Sequence, residues 1–201
     1  TLLTTWAYNS MGQLLRLVEA EKTPDEKRTC YRYNLQGQQE AIIYTDGLEV
    51  LSSYDALGRL SHHYASDKSF GYVYHYDANN NVTAVESASG TITLRVYDHQ
   101  DRMIEETLEN GLKLSYGYDP FGRLSHLGLP DGSSVQYAYD ALFLRQVQRI
   151  NPGGDPTYAH HYLTYDLAGH CTQAQLATGQ IETYVRDKMG RPLAFQSAPY
   201  S

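Results

Sequence analysis

Large rings recur at alternate positions along this chain. Tyr74 and Tyr76 flank His75, Tyr116 and Tyr118 flank Gly117, and Tyr137 and Tyr139 flank Ala138. Successive side chains on a strand point to opposite faces. The spacing therefore predicts strands with rings on one face and small or polar residues on the other. Trp6, Tyr31 and Tyr184 extend the pattern, with Ala7, Arg32 and Val185 on the lighter face. No stretch sustains a helical period. Residues 16–29 have the most helical composition, in Glu19-Ala20-Glu21-Lys22, but Pro24 and Asp25 interrupt it. They read as a long hairpin arm with its loop.

The strands are punctuated by one repeated phrase. Residues 54–60 read YDALGRL and residues 118–124 read YDPFGRL. With the Tyr as origin, the series is Tyr8, Tyr33, Tyr54, Tyr76, Tyr97, Tyr118, Tyr139 and Tyr165, with a degenerate member at Arg186; the spacings are 25, 21, 22, 21, 21, 21, 26 and 21. The next residue is always acidic or its amide: Asn9, Asn34, Asp55, Asp77, Asp98, Asp119, Asp140, Asp166 and Asp187. A fixed interval of this size is the signature of a repeat architecture.

Four residues after the Tyr stands Gly12, Gly37, Gly58, Gly122, Gly169 or Gly190, replaced elsewhere by Asn80, Asp101 and Phe143. Asn and Asp are the residues that best substitute for Gly at positive φ. The sequence D-x-x-G thus predicts a type I turn closed by a G1 bulge, with the carboxylate accepting backbone N–H bonds. Phe143 predicts a turn of different construction. In this geometry Asp faces the residue four positions on, which is Arg59, Arg102, Arg123 or Arg191 in four copies. The Tyr faces the residue six positions on: Leu14, Leu60, Val82, Met103 or Leu124, with Gln39, Arg145, Cys171 and Pro192 as departures.

A second turn signal recurs at the opposite end, in Asp46-Gly47, Ser89-Gly90, Asn110-Gly111, Asp131-Gly132 and Thr178-Gly179. Each repeat of about 21 residues therefore holds two turns and two strands of about six residues. Eight complete intervals predict about sixteen strands. One such hairpin is marginally stable alone, so each needs its neighbours. The expectation is an all-β chain: antiparallel hairpins over 1–201 forming one long curved sheet.

Composition changes this picture in one respect. Leu, Ile, Val and Phe make up only 42 of 201 residues, while there are 19 tyrosines. A tyrosine buries a large ring and still needs a partner for its hydroxyl, which suits a thin sheet. The net charge of −7 is spread without long blocks, which argues against nucleic acid or anionic membranes as partners. No apolar run approaches the roughly 20 residues of a membrane-spanning helix. The first residue is Thr rather than Met, so the chain is expected to be a section of something longer. Cys30 and Cys171 lie far apart without C-x-x-C spacing and read as free thiols.

Candidate chemistry is sparse. The YD carboxylates would lie one per hairpin along a rim, whereas catalysis needs convergence. His62-His63 and His160-His161 are adjacent pairs on strands, so each pair points to opposite faces and does not chelate. Ser52-Ser53 and Ser133-Ser134 show no paired base in the sequence and no G-x-S-x-G context. The glycine turns match neither a P-loop nor a dinucleotide fingerprint. No catalytic, metal or cofactor-binding residue is assigned.

Nine YD-type turns at this period, with Gly-Arg-Leu after the turn and Asp-Gly or Asn-Gly opposite, resemble the YD-repeat or Rhs (rearrangement hot spot) family over residues 6–195. The resemblance is close at Tyr54–Leu60 and Tyr118–Leu124 and loose near Tyr139 and Arg186. It implies a spiralling sheet that closes into a hollow shell, as in bacterial Rhs toxins and toxin complexes, holding a C-terminal toxin as cargo. The self-cleaving end motif of such proteins does not occur here, so the chain reads as an internal section of wall. The implied function is structural rather than enzymatic, secreted or at the cell surface. Its partners would be polypeptide cargo and flanking repeats, with edge-to-edge self-association where strands are left open. An alternative is a surface adhesion module binding glycan through exposed tyrosines. The two readings differ in whether the YD tyrosines are packed or face solvent.

Overall fold

A computed structural model of the chain describes residues 3–198. The contacts divide it into two units, Thr1–Arg95 and Val96–Ser201. The described strands are β1 (Thr5–Tyr8), β2 (Leu14–Glu19), β3 (Lys27–Tyr33), β4 (Gln39–Ile43), β5 (Glu49–Tyr54), β6 (Leu60–Ala65), β7 (Gly71–Tyr76), β8 (Val82–Ser87) and β9 (Ile92–Tyr97), which crosses the unit boundary. They continue as β10 (Met103–Thr107), β11 (Lys113–Tyr118), β12 (Leu124–Gly128), β13 (Ser134–Tyr139), β14 (Leu144–Ile150), β15 (Pro156–Tyr165), β16 (Cys171–Gln175), β17 (Ile181–Arg186) and β18 (Pro192–Ala198). The eighteen strands exceed the expected sixteen because each of the nine YD turns joins two. No helix occurs among the described residues, and residues 20–26 form the loop of the long β2–β3 hairpin.

Within each unit every strand is antiparallel to the strands before and after it. Element contacts likewise run between consecutive strands. A thick core is therefore absent from the described residues: only Val18, Ala41, Ala65, Ala174 and Ser133 are buried, and no large side chain is fully enclosed. Stability has to come from the backbone ladder and from same-face neighbours on adjacent strands.

The YD turns have the geometry their sequence dictates. At Asp119 the backbone N–H donates to the Arg123 carbonyl at 2.9 Å, and the Gly122 N–H donates to the Asp119 carbonyl at 2.9 Å. Gly122 has φ +80°, and the two substitutes Asn80 and Asp101 adopt φ 73° and 60°. Beyond the expected G1 bulge at the turn, a second β-bulge, which the sequence did not signal, follows in the eight YD hairpins whose register is described. Tyr54 pairs with Leu60, but Ser53 pairs with His62 rather than Ser61. The same shift sits beside Tyr8, Tyr33, Tyr76, Tyr118, Tyr139, Tyr165 and Arg186. The opposite-end turns use a similar loop, as in Tyr44 N–H to Leu48 carbonyl at 2.9 Å. Only the glycine of each Asp-Gly or Asn-Gly pair has positive φ there; a type I′ turn would need two such residues.

The turn at Phe143 is a correction to the expected pairing. The Asp140 N–H donates to the Phe143 carbonyl at 3.0 Å, closing the loop one residue early. Tyr139 therefore faces Leu144, not Arg145. Phenylalanine avoids the left-handed region, and shortening the loop removes the position that would require it.

Glycine is tested most cleanly at position 122. A Cβ there would meet nothing closer than Arg102 Nη1 at 3.9 Å, so the cost of a side chain is backbone strain alone. Gly122→Val is expected to destabilise the chain by about 1–3 kcal/mol. Phe121→Ala, at a neighbour 81% exposed, is expected to cost less than about 0.5 kcal/mol. Urea melts of the two variants check this, and equal shifts would refute the turn assignment.

Candidate functional site

The YD carboxylates are structural caps. Asp119 Oδ1 accepts from the Phe121 and Arg123 N–H groups, both at 2.9 Å. Its Oδ2 takes Arg123 Nε at 2.7 Å. Asp55, Asp98 and Asp187 repeat this arrangement with Arg59, Arg102 and Arg191. Asp140 keeps an arginine, Arg145 at 2.6 Å, although its loop is shorter. Asn9 and Asn34 hold Gln13 and Gln38 at 2.7 and 3.0 Å in a neutral version of the same pair. Hydrogen bonds from Arg102 hold the Asp98 carboxyl down at about 2 against partial burial. The Phe143 and Leu142 N–H groups, with Arg145, hold Asp140 at about 2.

Several caps also reach the next repeat. Arg59 Nη1 donates to the Asp77 carbonyl at 3.1 Å and to Asn80 Oδ1 at 2.9 Å. Its guanidinium carbon stands 4.4 Å from the centre of the Tyr76 ring. Arg123 does the same to the Asp140 carbonyl at 3.0 Å and the Tyr139 ring at 4.3 Å. Arg102 lies 4.7 Å from the Tyr118 ring. Where glutamine replaces arginine, the reach persists: Gln13 donates to the Gly37 carbonyl at 2.9 Å and Gln38 to the Gly58 carbonyl at 2.7 Å.

The tyrosines close the link in the other direction. The Tyr54 hydroxyl donates to the Gln39 carbonyl at 2.8 Å, Tyr76 to Leu60 at 2.8 Å, Tyr118 to Met103 at 2.7 Å and Tyr139 to Leu124 at 2.9 Å. Tyr33 reaches the Leu14 carbonyl at 3.0 Å, and Tyr165 reaches that of Leu144. Wherever the register is described, the acceptor is the residue facing the preceding repeat's YD tyrosine. The bulge disrupts the ladder there, which turns that carbonyl toward a side-chain donor. At the short-loop repeat, Phe143 stacks on Tyr165 at 4.3 Å. From Tyr33 to Tyr165 the YD rings are half-buried and engaged. They form no row of free rings facing solvent, the feature on which the glycan reading was to be judged.

The other candidates do not assemble a reactive centre. His62 faces Val73 and His63 faces Tyr72, on opposite faces of β6. His160 packs on Tyr162 at 4.6 Å, while His161 pairs with Gln175. No group of three His, Cys, Asp or Glu residues suited to a metal ion occurs among the described residues. Ser52 is a correction: β5–β6 pairing places its Oγ 3.0 Å from His63 Nδ1, a base the sequence did not reveal. The registered partners were 11 residues apart in the chain, which only the hairpin register brings together. Among the described residues no carboxylate bonds His63, whose ring instead packs against Phe70 at 5.5 Å, so the described pair lacks the orienting acid of a hydrolytic triad. Ser133 Oγ donates to Asp131 at 2.5 Å. Cys30 and Cys171 are free thiols, and burial pushes the Cys171 thiol up.

The RHS Repeat family model matches residues 54–92, 76–113, 97–134 and 118–156, together just over half of the 201 residues. A search of curated proteins finds no match. Among solved structures, a crystal structure of TcdB2-TccC3-TEV is similar with a TM-score of 0.74 at 14% identity, over 96% of this chain and 12% of that one. TcdB2-TccC3 without its hypervariable C-terminal region gives 0.54 at 11% identity, over 96% of this chain and 16% of that one. A mutant Tc holotoxin pore of Photorhabdus luminescens gives 0.52 at 11% identity, again over 96% and 16%. This chain thus spans less than a fifth of the length of the structures it resembles.

Proposed function

This chain belongs to the RHS-repeat family, and we propose that it serves as a section of wall in a β-sheet shell that encloses or presents a polypeptide cargo such as a toxin. The observation that carries this reading is the two-way link between hairpins. Arginine reaches forward to the next ring and turn, and tyrosine reaches back to the previous carbonyl. Nearly all the distinctive side chains are spent on joining repeat to repeat. What they build is a continuous surface, with each carboxylate occupied by its own turn. The similar structures named TcdB2-TccC3 and Tc holotoxin support a toxin-complex setting, and one of them is described without a hypervariable C-terminal region. A secreted location and a role without catalysis follow from the same reading, as do flanking repeats as neighbours in a longer protein.

The test is protease protection in that longer protein. Its cargo segment is expected to survive protease until denaturant opens the wall, and then to be cut together with the repeats. Cleavage of the cargo in the folded protein, at the rate of the free segment, would reject enclosure. A glycan array carrying the 201-residue chain should stay blank; specific binding there would restore the adhesion reading.

A further inference from the structure

In the unit that contains Val96, the sheet face opposite the YD tyrosines is built from amides. Directly opposed residues on paired strands share a face, so the register gives this face row by row. One row runs Gly117, His126, Gln136, Gln148, Ala159. The next runs Ala138, Gln146, His161, Gln175, Ile181. Beside it Gln173 stands between Thr164 and Thr183. At the paired positions of this face from β12 through β17, no Asp, Glu, Lys or Arg occurs among the described residues, although such residues make up 19% of the chain. The matching face of the other unit carries Arg16, Arg32, Glu49 and Glu86.

The amides are partly linked to one another. Gln146 Nε2 donates to Gln148 Oε1 at 2.8 Å, and Gln148 Nε2 donates to Gln136 Oε1 at 3.3 Å. Gln136, at one end of this chain of bonds, is exposed, and its own amino group remains a donor. Next to the amides lies a groove of about 440 Å³ lined by Ser115, His126, Gly128 and Ser134. Gly128 keeps its floor low, because a Cβ there would collide with Ser115 Oγ. At its margin Lys113 and Glu105 neutralise each other at 2.9 Å. A face meant only for water would carry charges of both signs, and one meant for an apolar partner would carry apolar side chains. A primary amide instead offers donor and acceptor together, which is the pattern of a peptide group.

We infer that this amide face lies against the cargo polypeptide and holds its main chain, whatever the cargo sequence. The inference rests on the wall reading and adds which side of the sheet meets the cargo, and by what chemistry. Every cargo residue brings a peptide group, so the glutamines at 136, 146, 148, 173 and 175 meet the one feature all polypeptides share. An uncharged lining neither attracts nor repels charged cargo side chains, whereas a charged lining would reject cargo of its own sign. Each amide bond replaces one that the cargo makes to water, so its net contribution is modest and the hold is reversible. The opposite face is less suited, because its YD rings are already engaged by neighbouring repeats.

Photo-crosslinking in the longer protein tests the contact. The crosslinker p-benzoylphenylalanine in place of Gln136 or Gln173 should couple to the cargo segment. In place of Tyr158, which is 45% exposed on the tyrosine face, it should not. A second arm replaces the cargo segment with a Glu-rich or a Lys-rich tail of equal length. The unmodified protein should shield the two tails from protease to within about twofold of each other. Gln146→Glu combined with Gln175→Glu should leave the Lys-rich tail shielded and let the Glu-rich tail be cut at least about tenfold faster. Circular dichroism confirms that the variant keeps the β fold. Coupling from Tyr158 as strong as from the glutamine positions, or from none of them, would overturn the inference. So would equal shielding of both tails by the Glu variant. In each of these outcomes natural cargo that still resists protease leaves the wall reading standing. Natural cargo cut freely in the unmodified protein rejects the wall reading, and this inference with it.

Discussion

Tyr139→Ala is expected to lower the stability of the chain by about 3 kcal/mol, with Tyr139→Phe costing about 1 kcal/mol. The ring is half-buried, so its packing counts for roughly half of the 3–5 kcal/mol that removal of a fully buried aromatic costs. The hydroxyl bond to the Leu124 carbonyl adds about 0.5–1.5 kcal/mol. The Arg123 guanidinium over the ring contributes about 0.5–1 kcal/mol at this exposure. Phenylalanine keeps the ring and the cation contact and loses only the hydroxyl bond. In a thick core, neighbouring layers would share the load of one lost ring. Here contacts run between consecutive strands, so the loss falls on the β12–β13 junction. Urea midpoints of the two variants, with hydrogen exchange of the flanking strands, measure both effects. Protection should fall first in β12 and β13. Equal midpoints for Tyr139→Phe and the unmodified chain would remove the hydroxyl from the link.

How much of this was visible in the residues depends on how far apart the interacting groups lie. Turn geometry is local, and Asp119 to Arg123 could be read directly, including positive φ at Asn80 and Asp101. The exception at Phe143 was also legible as an exception. Its solution was not: closing the loop one residue early moves Leu144, rather than Arg145, opposite Tyr139. The G1 bulge was legible from the turn glycine, but the second bulge beyond it left no trace, because no residue type is required at it. The back-reaching hydroxyls depend on both the bulge and the register between repeats. Tyr139 and Leu124 are 15 residues apart, and nothing in either residue names the other. The Ser52–His63 pair was hidden in the same way. The acidic rim was correctly read as turn capping, because each carboxylate meets partners within four or five positions of its own loop.

Acid should loosen the array from pH 4 downward, and unevenly. Asp55, Asp77, Asp119, Asp166 and Asp187 all lie below the ordinary value of 3.8, and Asp98 and Asp140 lie at about 2. A carboxylate whose folded value is depressed stabilises the folded chain above its unfolded value, and this is lost as pH falls through the folded value. All seven act in the same direction, so stability should be flat above about pH 5 and fall steeply between pH 4 and pH 2. The turns at Asn9 and Asn34 do not titrate. Their Asn–Gln pairs make the same contacts without charge, so hairpins β1–β2 and β3–β4 should hold while those from Asp98 onward open. Hydrogen exchange at pH 5, 3.5 and 2.5 reads each hairpin directly. Within the unit containing Val96, every YD turn carries an aspartate, so its protection should drop most. The double change Asp98→Asn with Arg102→Gln copies the Asn9–Gln13 pair at a charged turn. It should leave the fold at neutral pH intact and make that hairpin insensitive to acid, whereas Asp98→Asn alone leaves Arg102 facing an amide and should weaken the turn at every pH. If the acid loss is uniform from Asn9 to Asp187, charge in the turns does not govern it.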